Sequence, residues 1–201
     1  MNRSYRRNLP HVFPKGAAIF VTWRLNGSLP AAVVIEARTA ANLTNGQRFA
    51  RMDKFLDGST RGPLWLREKR IAEDVCATIE RAAQSPLLHY VLHEYVVMPN
   101  HVHLLITPRI EMKTIMQSLK GNTAHFANRI LRRSGSFWQI EYYDHFCRDG
   151  KEFENIRSYI ARNPVKAGLA VTPEAWPWSS AGRRVPPSAL PNAGIAQPAT
   201  H

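Results

Sequence analysis

The chain has 201 residues, enough for one domain with a sizeable core, and its 27 Lys and Arg against 15 Asp and Glu leave a formal charge of +12 that points to a polyanionic partner. Its longest apolar runs, such as Ala17 to Val21, fall far short of the ~20 residues a spanning helix needs, and no signal peptide is visible, so no membrane is expected and a cytoplasmic location is. Cys76 and Cys147 have no CxxC spacing, which excludes a zinc ribbon or a disulfide framework and leaves two ordinary thiols.

After a basic, turn-rich arm over Met1 to Gly16, the residues Ile19, Val21, Trp23 and Leu25 alternate with Phe20, Thr22 and Arg24. That period of two predicts a strand over Ala17 to Leu25. Ala31 to Ala41 is a candidate short helix, and the stretch that follows it carries no clear pattern. From Leu66 to Gln84, Ile71, Val75 and Ile79 recur every four residues among charged neighbours, the mark of an amphipathic helix. Two strands are predicted over Tyr90 to Val97 and His101 to Thr107, joined by the turn-prone Met98-Pro99-Asn100. Met112, Ile115, Met116, Leu119 and Phe126 keep a helical period, with Gly121 a candidate break. Tyr142 to Arg148 reads as a strand and Lys151 to Asn163 as a helix with Phe153, Ile156 and Ile160 inward, ended by Pro164. Past Ser180 the chain is rich in Pro and Ala, so residues 1–180 are read as one domain and 181–201 as a flexible tail. The order of elements, with antiparallel neighbours, predicts an α+β sandwich.

Two constellations carry chemistry. His101-Val102-His103 lies on a predicted strand, so both imidazoles point to one face while Val102, Leu104 and Ile106 take the other; a pair so placed can share a divalent metal. Tyr159 and Asn163 stand four residues apart on a predicted helix, hence on one surface, at the border of its apolar face. Taken alone, each has a plain structural explanation: chance histidines on a strand, a tyrosine that buries its ring and wets its hydroxyl, an asparagine that caps a helix.

Together, the runs FVTWRL (Phe20 to Leu25), YVVMPNHVHLLI (Tyr95 to Ile106), Ser118 to Lys120 with Asn128, FWQIEYYDHFCR (Phe137 to Arg148), YIARNPVKAGL (Tyr159 to Leu169) and WPWSS (Trp176 to Ser180) resemble the single-tyrosine HUH transposases, in particular the REP-associated tyrosine transposases. The resemblance spans nearly all of residues 5 to 180 and implies a ferredoxin-like HUH fold, with an antiparallel sheet sandwiched by helices. It implies metal ligation by His101 and His103, Tyr159 as nucleophile and Asn163 as third ligand, where other single-tyrosine transposases often have the longer Gln. The implied reaction is transesterification of single-stranded DNA at palindromic hairpins through a 5′-phosphotyrosine, with Mg²⁺ or Mn²⁺ polarising the phosphate. A monomer associated with the nucleoid is the expected form. No residue is singled out as general base.

Asp144 and His145, with Arg148 and Lys120, lie in matched blocks and are candidates for supporting the metal site or contacting DNA. His93 and His125 have no partner by spacing, and Phe137, Trp138, Trp176 and Trp178 are read as packing residues before base-stacking ones. The competing readings are a hairpin-binding protein with a relic metal site, and a zinc hydrolase of small substrates. The second leaves the +12 charge unexplained and lacks a further His, Cys, Asp or Glu ligand at familiar spacing.

Overall fold

A computed structural model describes residues 13–39, 43–58, 62–84 and 86–183. Among these residues four strands form one antiparallel sheet in the order β2-β3-β1-β4, with β1 at Ile19–Arg24, β2 at Tyr90–Val97, β3 at His101–Pro108 and β4 at Tyr143–Phe146. Among the described residues six α-helices accompany them: α1 Ala31–Thr39, α2 Asn45–Asp57, α3 Lys69–Ala82, α4 Met112–Ile130, α5 Gly150–Lys166 and α6 Ser180–Arg183. With α1 and α2 set aside, the succession β1-α3-β2-β3-α4-β4 is the ferredoxin-like α+β arrangement that the resemblance implies.

The pleat divides the sheet into two faces with different tasks. Ile19, Val21 and Trp23 of β1 and Val102, Leu104 and Ile106 of β3 join Ile71, Val75 and Ile79 of α3 and Ile115, Met116 and Leu119 of α4 in the main core. On the opposite face a smaller core of Phe20, Val96, Met98 and Leu105 packs against Ile160 of α5. The exposed edge that β2 would present is covered by the chain after α5, since Val97 N–H bonds the Trp178 carbonyl at 2.8 Å and Tyr95 N–H the Ser180 hydroxyl at 2.8 Å.

Four local expectations change. Helix α4 runs through Gly121 to Ile130, because one glycine costs a helix only about 1 kcal/mol and the buried stripe on either side outweighs it. Helix α5 passes Pro164 and ends at Lys166; in the last turn the ring removes one backbone bond, while Ala167 N–H still reaches the Asn163 carbonyl at 3.0 Å. Gly168, at φ +69°, then stops it. The patternless stretch before α3 contains α2, whose start is a capping box in which Thr44 and Gln47 bond each other's backbone N–H. Ala181 to Arg183, placed in the expected tail, belong to α6, where Arg183 reaches Glu80 and Glu73 of α3 at 2.7 Å each. The rest of that tail lies outside the described residues.

Candidate metal and nucleophile site

His101 and His103 point from β3 to the face away from α3 and α4, both fully buried, with their Nε2 atoms 3.0 Å apart. Their other nitrogens are anchored. Thr22, opposite His103 in the β1–β3 register, places its hydroxyl 2.7 Å from His103 Nδ1. Asn100 donates through Nδ2 to the Leu56 carbonyl of α2 at 3.1 Å, which leaves its Oδ1 2.7 Å from His101 Nδ1. A carbonyl oxygen only accepts, so His101 carries its proton on Nδ1 and directs the Nε2 lone pair at His103. Burial, reinforced by His103, pushes the His101 pKa down to about 3, so the ring is neutral near pH 7. The gap between the two rings therefore requires either a proton on His103 Nε2 or a cation.

Helix α5 crosses this face and brings Asn163 and Tyr159 to the pair. The Asn163 amide is fully buried, with one end 3.3 Å from His103 Nε2 and the other without a hydrogen-bond partner. A half turn of that amide exchanges its oxygen and nitrogen, so either end can face the ring. One turn earlier, the Tyr159 ring meets His103 edge-on at 5.5 Å and its hydroxyl donates to Asp53 Oδ2.

Asp53 is the residue that sequence reasoning missed. It comes from α2 and is 2% exposed, with Oδ1 3.3 Å from His103 Nε2 and 3.8 Å from His101 Nε2. Burial by itself would raise its pKa, but the two imidazoles and Lys166 hold the carboxyl below the usual range. Asp57, one turn on, takes Lys166 of α5 at 3.0 Å, while burial and the nearby Asp53 push its own pKa up. The capping box of Thr44 and Gln47 is a local signal for this helix, and nothing in the spacing ties it to His101.

Among the described residues, Asp53, His101 and His103 are a group that can hold a metal ion. An octahedral ion with bonds of about 2.0–2.1 Å keeps neighbouring ligand atoms about 3 Å apart. The separations of 3.0, 3.3 and 3.8 Å among these atoms, and 3.3 Å from Asn163 to His103, approach that spacing. Asp53 Oδ1 and Asn163 Oδ1 are both buried oxygens without hydrogen-bond partners, as expected of groups prepared for a cation. The donor set fits a hard or borderline divalent ion.

The remaining candidates are engaged elsewhere. Lys120 donates to the carbonyls of Gln139 and Ile140 at 2.6 and 2.7 Å, tying α4 to the loop before β4. His145 and Arg148 both bind Glu152 in the first turn of α5, and Arg148 holds the Glu152 carboxyl down to about 2. Asp144 sits on β4 opposite Val21. His93 bonds Thr107 at 2.8 Å and packs edge-on against Phe153, and His125 is exposed on α4. Phe137, Trp138 and Trp178 pack in the main core and Trp176 in the smaller one, so the packing reading holds for all four.

Residues 64–163 match the family model of IS200-like transposases. A Haemophilus influenzae protein named as a REP-associated tyrosine transposase is 30% identical over 133 residues, covering 59% of this chain and 76% of that protein. The REP-associated tyrosine transposase of Escherichia coli is 26% identical over 99 residues, covering 48% of this chain and 57% of its own length. In fold, the chain is similar to a solved REP-associated tyrosine transposase bound to a REP hairpin, with a TM-score of 0.57 at 18% identity, covering 96% of this chain and 93% of that one.

Proposed function

The chain belongs to the IS200-like, REP-associated tyrosine transposase family, and from that premise we propose that it nicks and rejoins single-stranded DNA at palindromic hairpins through a covalent bond to Tyr159. The observation that carries the reading is the meeting of Tyr159 and Asn163 on α5 with the facing Nε2 atoms of His101 and His103. Four residues from two distant segments converge there, and a packing role explains neither the opposed ring nitrogens nor the buried amide oxygen without a partner.

The Tyr159 hydroxyl oxygen attacks the scissile phosphorus and the bond to the 3′ oxygen breaks. The tyrosine proton is lost, the leaving oxygen gains one, and a 5′-phosphotyrosine and a free 3′-hydroxyl result. In the joining step a 3′-hydroxyl displaces the tyrosine, so the linkage is conserved without a nucleotide cofactor. His101, His103 and Asn163 would hold the metal, with Asp53 in reach of the same point. A bound Mg²⁺ or Mn²⁺ would polarise the scissile phosphate and stabilise its developing charge. A phenol of ordinary pKa about 10 is a weak nucleophile at neutral pH, so its orientation matters as much as its chemistry. Arg162, exposed on α5 beside Asn163, and the rest of the +12 charge would bind flanking phosphates. Action as a monomer on chromosomal DNA belongs to the same proposal.

The deciding experiment incubates labelled single-stranded hairpins from the neighbourhood of the gene with protein and Mg²⁺ or Mn²⁺, then separates products on a denaturing gel. A shifted, protease-sensitive band is expected from wild type and none from Tyr159→Phe, whose hairpin affinity and metal binding should persist. An adduct surviving in Tyr159→Phe refutes the nucleophile. Tight hairpin binding with no adduct on any such palindrome would favour a hairpin-binding protein instead.

A further inference from the structure

Helix α2 precedes the stretch matched by the family model, yet it contributes more contacts to this site than its place in the chain suggests. It supplies the Asp53 carboxylate and the Leu56 carbonyl that orients Asn100, and through Asn100 the proton on His101. Phe49 stacks on Tyr143 of β4 at 4.2 Å and meets the His103 ring edge-on at 6.2 Å. Asp57 adds a second tie to α5 through Lys166. A helix held only for packing would turn its apolar stripe to the sheet and its acids to water. Here Asp53 points inward, is nearly fully buried, and divides its two oxygens between the histidine pair and the tyrosine hydroxyl.

We propose that Asp53 is a further protein ligand of the metal and, through its second oxygen, the positioning residue for Tyr159, which makes α2 part of the catalytic machinery. The inference rests on the metal-dependent tyrosine reading above. Oδ1 lies at ligand-to-ligand distance from His103 Nε2 and has no hydrogen-bond partner, whereas Oδ2 accepts from the Tyr159 hydroxyl. One rigid carboxylate thereby fixes the nucleophilic oxygen relative to the metal, where a hydroxyl on a half-buried ring would otherwise rotate freely. A single carboxylate beside two imidazoles and an amide also gives the site a net negative ligand, which favours a divalent ion over water or a monovalent one.

The test uses the full chain and Mn²⁺ alone as probe, with affinity read by calorimetry and by loss of the free-ion electron paramagnetic resonance signal. Wild type, Asn163→Ala, Asp53→Ala, the nearly isosteric Asp53→Asn and the exposed-carboxylate control Glu154→Gln are compared, with melting curves to confirm folding. Asp53→Ala should weaken Mn²⁺ by at least about ten-fold, as Asn163→Ala should, and Glu154→Gln should leave it unchanged. At saturating Mn²⁺, Asp53→Asn should slow single-turnover adduct formation by roughly ten-fold or more while half-saturating DNA stays within about two-fold, since the lost interaction is one made to the nucleophile. Wild-type Mn²⁺ affinity in Asp53→Ala, with Asn163→Ala impaired, overturns this inference and leaves the family reading standing. Tighter DNA binding and faster adduct formation in Asp53→Ala would also overturn it, by making Asp53 an occupant of the phosphate's place. No Mn²⁺ binding by wild type would remove both.

Discussion

Asn100→Ala tests whether the histidine pair is prepared by its surroundings or merely buried in them. Asn100 is 1% exposed and makes two bonds, Nδ2–H to the Leu56 carbonyl at 3.1 Å and Oδ1 from His101 Nδ1–H at 2.7 Å. Truncation leaves a buried imidazole N–H without an acceptor, at about 1–3 kcal/mol. The Leu56 carbonyl keeps a partner in the Gly58 N–H, so its loss adds only about 1 kcal/mol. The total of about 2–4 kcal/mol should lower the melting temperature by roughly 5–12 °C in a chain of this size. The metal effect is separate. With no acceptor at Nδ1, His101 is free to move its proton to Nε2 and lose the ligating lone pair, so Mn²⁺ affinity should fall about 10–100-fold. At saturating metal that ten-fold removes about 1.4 kcal/mol of ligand-induced stabilisation, visible as a smaller Mn²⁺-dependent rise in melting temperature. Asn100→Asp, which keeps the acceptor but not the donor, should retain more metal affinity than Asn100→Ala. Wild-type Mn²⁺ affinity in Asn100→Ala would refute the tautomer argument even if the protein melted early.

Single-strand affinity should fall steeply with salt, by roughly 0.7 in log K per phosphate contact for each tenfold rise, and Arg162→Ala should reduce the slope by about one such contact; an affinity flat in salt removes the polyanion reading. Arg183→Ala should cost about 1–2 kcal/mol in urea unfolding, because the guanidinium bonds Glu80 and Glu73 while still partly solvated; no change would mean that α6 is held by Ser179 and Ser180 alone. Burial holds His93 down to about 4 and His101 to about 3, both below their unfolded values near 6.5. The unfolded chain then binds protons that the folded one does not, so stability should be full above pH 6.5 and decline from there toward pH 4. His93→Gln should flatten part of that decline, and an unchanged profile would show that His93 is not the source.

What was legible in the sequence was whatever local periodicity records. Alternation over His101 to Ile106 placed the histidines on one face, and the four-residue step from Tyr159 to Asn163 placed those two together; both placements match the structure. Pro164 misled because its clash with the preceding residue is a local bias, and here Asn163 stays helical with its side chain buried against the sheet. Arg148 and His145, candidates for supporting the metal site or contacting DNA, both bond Glu152, four residues beyond Arg148, a pairing not read from the sequence. Asp53 was illegible for a different reason. It bonds a residue 106 positions away, and such a tertiary pairing leaves no spacing to read in one sequence.

The two faces of the sheet explain why the site can exist on so small a domain. Helices α3 and α4 bury one face of β1 and β3, where the larger of the two cores lies. Of the alternate residues, Phe20 and Leu105 pack in the smaller core, while Thr22 on β1 and His101 and His103 on β3 build the site. Their alignment depends on register: Thr22 stands opposite His103, and the hydroxyl that anchors Nδ1 is supplied by that pairing. A slip of one residue would turn both histidines into the apolar core and Val102 into the site, and the burial of Val102, Leu104 and Ile106 opposes it strongly. The hydrophobic pattern that secures the fold thus also fixes the geometry of the histidine pair. The helices on the second face, α2 and α5, can then set Asp53, Tyr159 and Asn163 against a rigid reference, as the proposed covalent transfer at phosphorus would require.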